Sequence, residues 1–389
     1  MAKISVSSTG CVLMDYLYSG ISFTEGPVTG YFSRVEGDGG LSPGKLVFTR
    51  ELETFAGKSY REILHDITGG KEPEAMNIGG PGIVAMIHLS QMLGPDCDVK
   101  FYGAVGRDTT ADTIRELLAK TPLSDRFIRT FPSTTPFTHV LSDPEYDHGH
   151  GERIFINNIG AAGDLDFPDP SFFESEVVVF GGTALVPRIH DSLHILLEHS
   201  KRKGAFTVVN TVYDFRSQKA NPGRPWPLGD GTPTYRLIDL LIVDKEEACK
   251  LSGSRDSEGA MDFFISAGTA GVIITDGARP VLVYGNASLY RDAIRTSLPV
   301  SQSVIEDVKS SDVKGDTTGC GDNFAGGVIY SIVKQLSDSA EKPDLREAAN
   351  WGIASGGFAL FYLGGTYYES QVFEKFDLVQ GYVRRADSR

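Results

Sequence analysis

Eight consecutive residues, Asp316-Thr317-Thr318-Gly319-Cys320-Gly321-Asp322-Asn323, set a glycine pair between carboxylates. Apolar residues then recur at Phe324, Val328, Ile329, Ile332, Val333 and Leu336, which is one face of a helix. The glycine-rich turn therefore opens a helix, where free backbone N–H groups and the macrodipole favour an anion. Glycine at 319 and 321 permits close backbone approach and positive φ. A carboxylate at Asp322 beside such a cradle can take a proton from an attacking hydroxyl, while the backbone amides stabilise a transferring phosphoryl group. The plainer alternative is structural: Asp322 complements the helix dipole and Asp316 caps a turn.

The common nucleotide fingerprints are absent. There is no GxGxxG, and the Gly39 to Lys45 match to Gly-x4-Gly-Lys carries Pro43 and continues with Leu46 where a P-loop needs Ser or Thr. A nucleotide must be held by another device. The octapeptide closely resembles the second signature of the pfkB/ribokinase family of carbohydrate kinases, D-T-x-G-A-G-D. The resemblance implies that Asp322 is the catalytic base, that Gly319, Cys320 and Gly321 supply the anion hole, and that Thr317 lies on the ATP side. Cys320 stands where the family usually carries Ala or Ser. A backbone N–H does not depend on that side chain, and the thiol is either a small apolar filler or a reactive group beside the phosphate path.

Other segments agree with the family in order and rough spacing, so the resemblance covers nearly the whole chain. Gly10-Cys11-Val12-Leu13-Met14-Asp15 looks like its first strand, ending in a sugar-binding Asp15; a carboxylate accepts hydrogen bonds from adjacent hydroxyls, which suits a polyol. Gly79-Gly80-Pro81-Gly82 resembles the first signature, completed by Gly103-Ala104-Val105-Gly106-Arg107-Asp108. The Asn expected after the glycine pair is replaced by Ile83 or Val84, so acceptor recognition differs in detail, with Asn77 a candidate substitute. Asp244-Lys245-Glu246-Glu247 resembles the N-x-x-E element: the resemblance implies that Asp244 faces ATP and that Glu247 organises Mg2+, the alternative being an acidic first helical turn. Thr275-Asp276-Gly277 resembles the T-x-G nucleotide loop, with Pro280 at its later glycine, and Asn350 matches the Asn beside the adenine. Asn210 and Arg216 match only loosely. Gly151-Glu152-Arg153-Ile154-Phe155 resembles a G-E-R-x-F run near the acceptor, where Arg153 either contacts the acceptor or is a solvated strand residue.

These residues need a scaffold. The β-branched runs Val177–Phe180, Phe206–Val209, Leu240–Val243, Val272–Thr275 and Val281–Tyr284 read as strands. Helical patterns at Ile189–His199, Lys245–Leu251 and Gly259–Ala267 fall among them. Such alternation predicts a mainly parallel sheet with helices on both faces. Two stretches break the rhythm. Residues 16–76 read as strands, turns and a helix near Tyr60–Ile67, and residues 127–160 as a hairpin of Phe137–Leu141 and Arg153–Ile156. Both are expected to form a small β-rich lid, with 1–15, 77–126 and 161–389 as the main domain. Asn221–Pro233 is a loop, either a lid element or a connector.

Composition bounds the function. The chain has 389 residues, 41% of them apolar, and a net charge of −14. That charge disfavours nucleic acid and anionic membranes. Cys11, Cys97, Cys249 and Cys320 form no CxxC pair, which gives a zinc site no support and fits a reducing cytoplasm. No signal peptide or membrane span is evident. The resulting expectation is an α/β protein with a three-layer α/β/α ribokinase-like domain and a β lid. It is expected to be a cytoplasmic, ATP- and Mg2+-dependent kinase acting on a sugar-like hydroxyl. The resemblance also allows a monovalent cation such as K+ near Asp316 and a homodimer through the lid. Two alternatives stay open: a nucleoside kinase using Tyr16, Tyr18, Tyr31, Phe32 or Phe137 against the base, and a non-catalytic sugar or nucleotide sensor. An NAD-linked oxidoreductase lacks its fingerprint.

Overall fold

A computed structural model describes residues 4–387, apart from 36, 96, 150, 311–316 and 339–341. In chain order the strands are β1 (Ser5–Gly10), β2 (Leu13–Tyr18), β3 (Leu46–Phe48), β4 (Ala75–Gly79), β5 (Asp98–Val105), β6 (Ile128–Thr130), β7 (Phe137–Asp143), β8 (Glu152–Asn158), β9 (Val177–Gly181), β10 (Phe206–Asn210), β11 (Leu240–Asp244), β12 (Gly271–Thr275), β13 (Val281–Gly285) and β14 (Ile294–Leu298). The large sheet has the order β14-β13-β12-β11-β10-β9-β1-β5-β6. From β12 to β6 every pairing is parallel, while β13 and β14 add an antiparallel edge. All five β-branched runs are strands of this sheet.

One face of the sheet buries its apolar residues against the helices Pro81–Leu93, Cys320–Ser337 and Leu345–Phe358. The other face packs against Leu193–Arg202, Lys245–Ser252 and Ser257–Ala267. This is the expected three-layer arrangement, and parallel sheets are stable only when covered on both faces. The predicted helix at Ile189–His199 is broken at Ser192 into Pro187–Asp191 and Leu193–Arg202. The loop after residue 221 is a packed connector: Trp226 is buried and its backbone N–H donates to the Lys250 carbonyl.

The small sheet has the order β3-β8-β7-β2-β4. The predicted hairpin is the antiparallel pair β7–β8, with a helical turn at Tyr146–Gly149 between its strands. What reads in the sequence as one strand ending at Asp15 is two. β1 stays in the large sheet, the chain bends at Cys11–Val12, and β2 enters the small sheet with Asp15 in its middle. β4 pairs with β2, so residues 75–79 belong to the small sheet too, whereas β6 pairs with β5 in the large one. The expected boundaries at 15/16, 76/77 and 126/127 therefore do not coincide with the sheet boundaries. Residues 39–45, the discarded P-loop match, lead into strand β3, with no helix at the position a phosphate loop requires.

Register divides the small sheet into unlike faces. Asp15 lies opposite Asn77 and Thr138, and Thr138 opposite Asn157. Alternation puts Asp15, Thr138, Asn157 and, further along β8, Phe155 and Arg153 on one face. The opposite face carries Tyr18, Val47, Leu141, Ile154 and Ile156, buried against Leu52, Ile63 and Ile67 of the helices Thr49–Ala56 and Tyr60–Thr68. Tyr60 extends this cover: its hydroxyl meets His139 Nδ1 at 2.5 Å, and Tyr16 stacks on the same imidazole. Burial pushes His139 down to about 4, so it stays neutral near pH 7.

Candidate active site

The helix Cys320–Ser337 begins where the sequence predicts. Gly319 is its N-cap, in the left-handed region at φ 76°, and a side chain there would collide with Gly365. Gly319 thus meets both a conformational and a packing requirement. Gly321, exposed in the first turn, has open space above its Cα. The two glycines of the cradle therefore have different jobs: one shapes the turn, the other keeps its mouth clear. Cys320 sits between them, partly buried and outside any disulfide. Gly315 and Asp316, with the expected cap and K+ site, lie outside the described residues.

Asp322 follows in the first helical turn. It makes no hydrogen bond or ion pair with any described residue, and desolvation pushes its carboxyl up to about 6. An unengaged carboxylate with a pKa this near neutrality is suited to proton transfer.

Gly79 and Gly80 form the second glycine turn. A Cβ at Gly79 would run into the Asp15 carboxylate, and one at Gly80, where φ is 109°, into the Cys11 carbonyl. Gly82, the second residue of the helix Pro81–Leu93, would bring a Cβ within 3.1 Å of Gly10 and of the Gly181 carbonyl. Three glycines thus seat this helix on the carboxyl ends of β1 and β9. The two turns are joined through the chain at 363–366: Gly365 backs Gly319, and Thr366 Oγ1 donates to the Ile78 carbonyl at 3.0 Å. Asn77, the candidate sugar contact, is spent on this junction. Its Nδ2 donates to the Leu363 and Thr366 carbonyls at 2.9 and 3.0 Å, and its Oδ1 accepts from Tyr368 at 3.1 Å.

Arg153 reaches across from the small sheet, its guanidinium donating to the hydroxyls of Thr317 and Thr318. It is therefore neither a solvated strand residue nor remote from the turn. It ties the polar face of the small sheet to the glycine turn. On that face Asp15 is buried, and Asn157 donates to Thr138 at 2.9 Å while its buried Oδ1 has no hydrogen-bond partner among the described residues. Asn157 and Thr138 escape sequence reasoning because only strand register sets them beside Asp15. Residues singled out for base stacking lie elsewhere: Tyr18 and Tyr31 are in the outer core, with Phe32 packed against it, and Phe137 meets Tyr16, Tyr60 and His139.

A third group lies at the ends of β11 and β12. Asp244 and Thr275 are register partners on adjacent parallel strands, and Gly277 follows with φ 56°. With Lys245, Glu246, Cys249 and Asp276 they line an open groove of about 340 Å³. Ligands of open α/β sheets bind at such carboxyl ends. Asp244 also caps the helix Lys245–Ser252, accepting from the Glu247 N–H at 2.8 Å. Glu247 is buried behind it, its Oε2 accepting from Thr211 at 2.5 Å. Burial and the nearby Asp244 push Glu247 up to about 8, and burial raises Asp244 as well. This carboxylate pair, in which Asp244 disfavours the charge of Glu247, fits a cation. Among the described residues no cluster of three or more His, Cys, Asp or Glu side chains forms a metal cage. Mg2+ bound with substrate phosphates needs only one or two carboxylates, so the pair suffices. Asn350 lies part-buried in the helix Leu345–Phe358. Arg216 is committed to Asp191, with one hydrogen bond at 2.9 Å.

Among the described residues no helix is long and apolar enough to cross a membrane. A family model described as pfkB family carbohydrate kinase matches residues 74–370, well over half the chain. No curated protein matches the chain. Among solved structures, an adenosine kinase from Sinorhizobium meliloti superposes with a TM-score of 0.70 at 16% identity, covering 99% of this chain and 100% of its own. A probable sugar kinase from Rhizobium etli CFN 42 gives 0.69 at 15%, covering 98% and 100%. A putative ribokinase II from E. coli, in complex with ATP and Mg2+, gives 0.65 at 16%, covering 98% and 99%. At these identities the likeness carries the ribokinase-like fold.

Proposed function

We propose, for a chain that belongs to the pfkB family of carbohydrate kinases, that it transfers the γ-phosphate of ATP to a hydroxyl of a small sugar-like substrate, with Asp322 as general base. The observation that carries this reading is the clasp of Arg153 on Thr317 and Thr318. It brings the polar face of the small sheet against the turn that holds Asp322. An acceptor held by Asp15 on that face lies between hydroxyl-binding groups and the phosphate cradle.

Phosphoryl transfer asks a protein mainly for positioning and for charge stabilisation. The amides of Gly319, Gly321 and Asp322, at the start of an 18-residue helix, offer donors to an anion, and the Cys320 N–H, which donates to the Thr317 carbonyl at 3.3 Å, joins them when a phosphate displaces that bond. Asp322 takes the acceptor proton. The groove at Asp244, Thr275 and Gly277 receives the nucleotide, with Thr317 beside the phosphates and Asn350 on the adenine side. Glu247 and Asp244 hold Mg2+ and its waters, and that ion neutralises phosphate charge when bound. The small sheet serves as the lid, excluding water that would otherwise compete with the acceptor.

Polar Asp15, Thr138 and Asn157 favour a polyol such as a pentose, a ketohexose or a keto-sugar acid. One observation supports a nucleoside as the second reading: Phe155 shares the inner face and is only part-buried, with the Arg153 guanidinium 5.5 Å from its ring centre. ADP release measured against sugars, sugar acids and nucleosides separates the two. The expected result is Mg2+-dependent turnover with one polyol class, abolished by Asp322→Asn. Full turnover by that variant on the same acceptor would remove Asp322 as the base.

A further inference from the structure

Beneath the glycine turn a lysine is sealed inside the protein. Lys375, at the start of the helix Glu374–Asp387, is fully buried. Its Nζ donates to Asn323 Oδ1 at 2.9 Å and to Gln91 Oε1 at 3.1 Å. No described carboxylate forms an ion pair with it; Glu369 accepts from its backbone N–H, at 2.9 Å. An ammonium buried without a counter-ion is costly, so its retention calls for a role.

Asn323 is the hub through which Lys375 acts. Its Nδ2 donates to the Gly319 carbonyl at 2.8 Å and to the Gly365 carbonyl at 2.9 Å. That orientation turns Oδ1 toward Lys375 and toward His88 Nδ1, 2.9 Å away. Oδ1 only accepts, so His88 donates from Nδ1. Burial and the neighbouring ammonium hold His88 well below its usual range, hence neutral, and its Nε2 is left without a partner. The Asn323 amide is thus filled by two donors and two acceptors, and both acceptors are backbone carbonyls of the turn and its backing loop. The chain enters the Lys375 helix through Phe373, at φ 68°, a conformation rare for a bulky residue, and the Phe373 ring fills the space that Gly94 leaves. The segment is bent so that Lys375 points inward.

We propose that Lys375 is a positioning residue: its ammonium, acting through Asn323, fixes the Gly319 turn and thereby aims the amides of the phosphate cradle. The structural half of this statement stands on the geometry alone, and the functional half rests on the kinase reading. Groups facing the ammonium are His88 from the helix Pro81–Leu93, Glu369 from the preceding loop, and Tyr362, whose ring centre is 5.9 Å from Nζ. The Tyr362 phenol feels Cys320 and Asp322 in turn. Burial pushes Lys375 down to about 7, opposed by Glu369. The charge is present below that pH and lost above it, so the cradle is held best on the acid side.

Hydrogen exchange of the full chain tests the structural half. Lys375→Met keeps the length and removes the charge and the donor. It is expected to speed exchange at 319–323 at least tenfold while the helix Lys245–Ser252 is unchanged. Unchanged exchange at 319–323 overturns the proposal, whatever the activity of the protein. If the Met variant does not fold, Lys375→Leu, which also removes the charge and the donor, is judged by the same criterion. Kinetics with ATP and the acceptor identified by the ADP-release assay test the functional half. Wild-type kcat/KM is expected to fall as pH rises through about 7, and the variant to lose that limb along with at least tenfold in kcat. Altered exchange with no wild-type turnover on any acceptor would overturn the kinase reading and leave the turn-holding role standing. Altered exchange with an unchanged pH profile and kcat would overturn the functional half.

Discussion

At the scale of single residues, the site holds carboxylates at a cost to the fold. Desolvation raises Asp322 from 3.8 to about 6. The native state therefore keeps this proton longer than the unfolded chain, and stability falls as pH rises across that interval. Asp322→Asn is expected to raise stability at pH 7 by about 1–3 kcal/mol, measured by denaturant unfolding. The same variant is expected to lose about 10²–10⁴ in kcat. A variant that was both less stable and active would contradict the assignment from both sides. In the wild type, the acid limb of kcat/KM should lie near 6. Glu247, pushed up to about 8, is largely protonated at pH 7 before a cation arrives. Mg·ATP binding should then release a proton, up to about one per site. Calorimetry at pH 7 in buffers of different ionisation enthalpy reads that release, and Glu247→Gln should abolish most of it.

At the scale of elements, the two cradle glycines give a paired test. Gly319→Ala places a side chain against Gly365 in a left-handed conformation, and should cost about 1–3 kcal/mol as well as activity. Gly321→Ala meets no neighbour. As a helical residue it should leave stability unchanged or raise it by up to about 1 kcal/mol, while KM for ATP rises because the mouth of the cradle narrows. If both variants behaved alike in thermal unfolding, the division of labour between shaping and clearing would be wrong.

At the scale of the whole molecule, the outer face of the small sheet is covered from within. The helices Thr49–Ala56 and Tyr60–Thr68 bury Leu52, Ile63 and Ile67 against Leu141, Ile154 and Ile156. A lid homodimer of the kind the family resemblance implies would therefore have to pair through these helices or a sheet edge and not through a bare sheet face. Light scattering is expected to give a monomer mass. Deleting residues 49–68 should expose an apolar sheet and produce association or precipitation. A wild-type dimer dissolved by that same deletion would show that the helices form the contact.

The glycine-turn side of the candidate site is written in contiguous sequence. A glycine turn, a helix start and Asp322 lie within one short stretch, and their chemistry follows from backbone N–H groups and dipoles that any such stretch must have. Period-two and period-3.6 patterns also marked the large parallel sheet, because burial on both faces leaves apolar runs. The acceptor side was legible only as scattered residues. Asp15 was singled out, but its strand was misplaced, since no local signal says that a chain changes sheets at Cys11–Val12. Thr138 and Asn157 became neighbours of Asp15 through register. Asn77 was drawn into a junction with 363–368, and Lys375 met Asn323 across fifty-two residues. Sequence alone thus determined which glycine turn opens a helix and which carboxylate stands in its first turn. Only the tertiary structure decided what faces that carboxylate, because long-range pairing leaves no periodic trace along the chain.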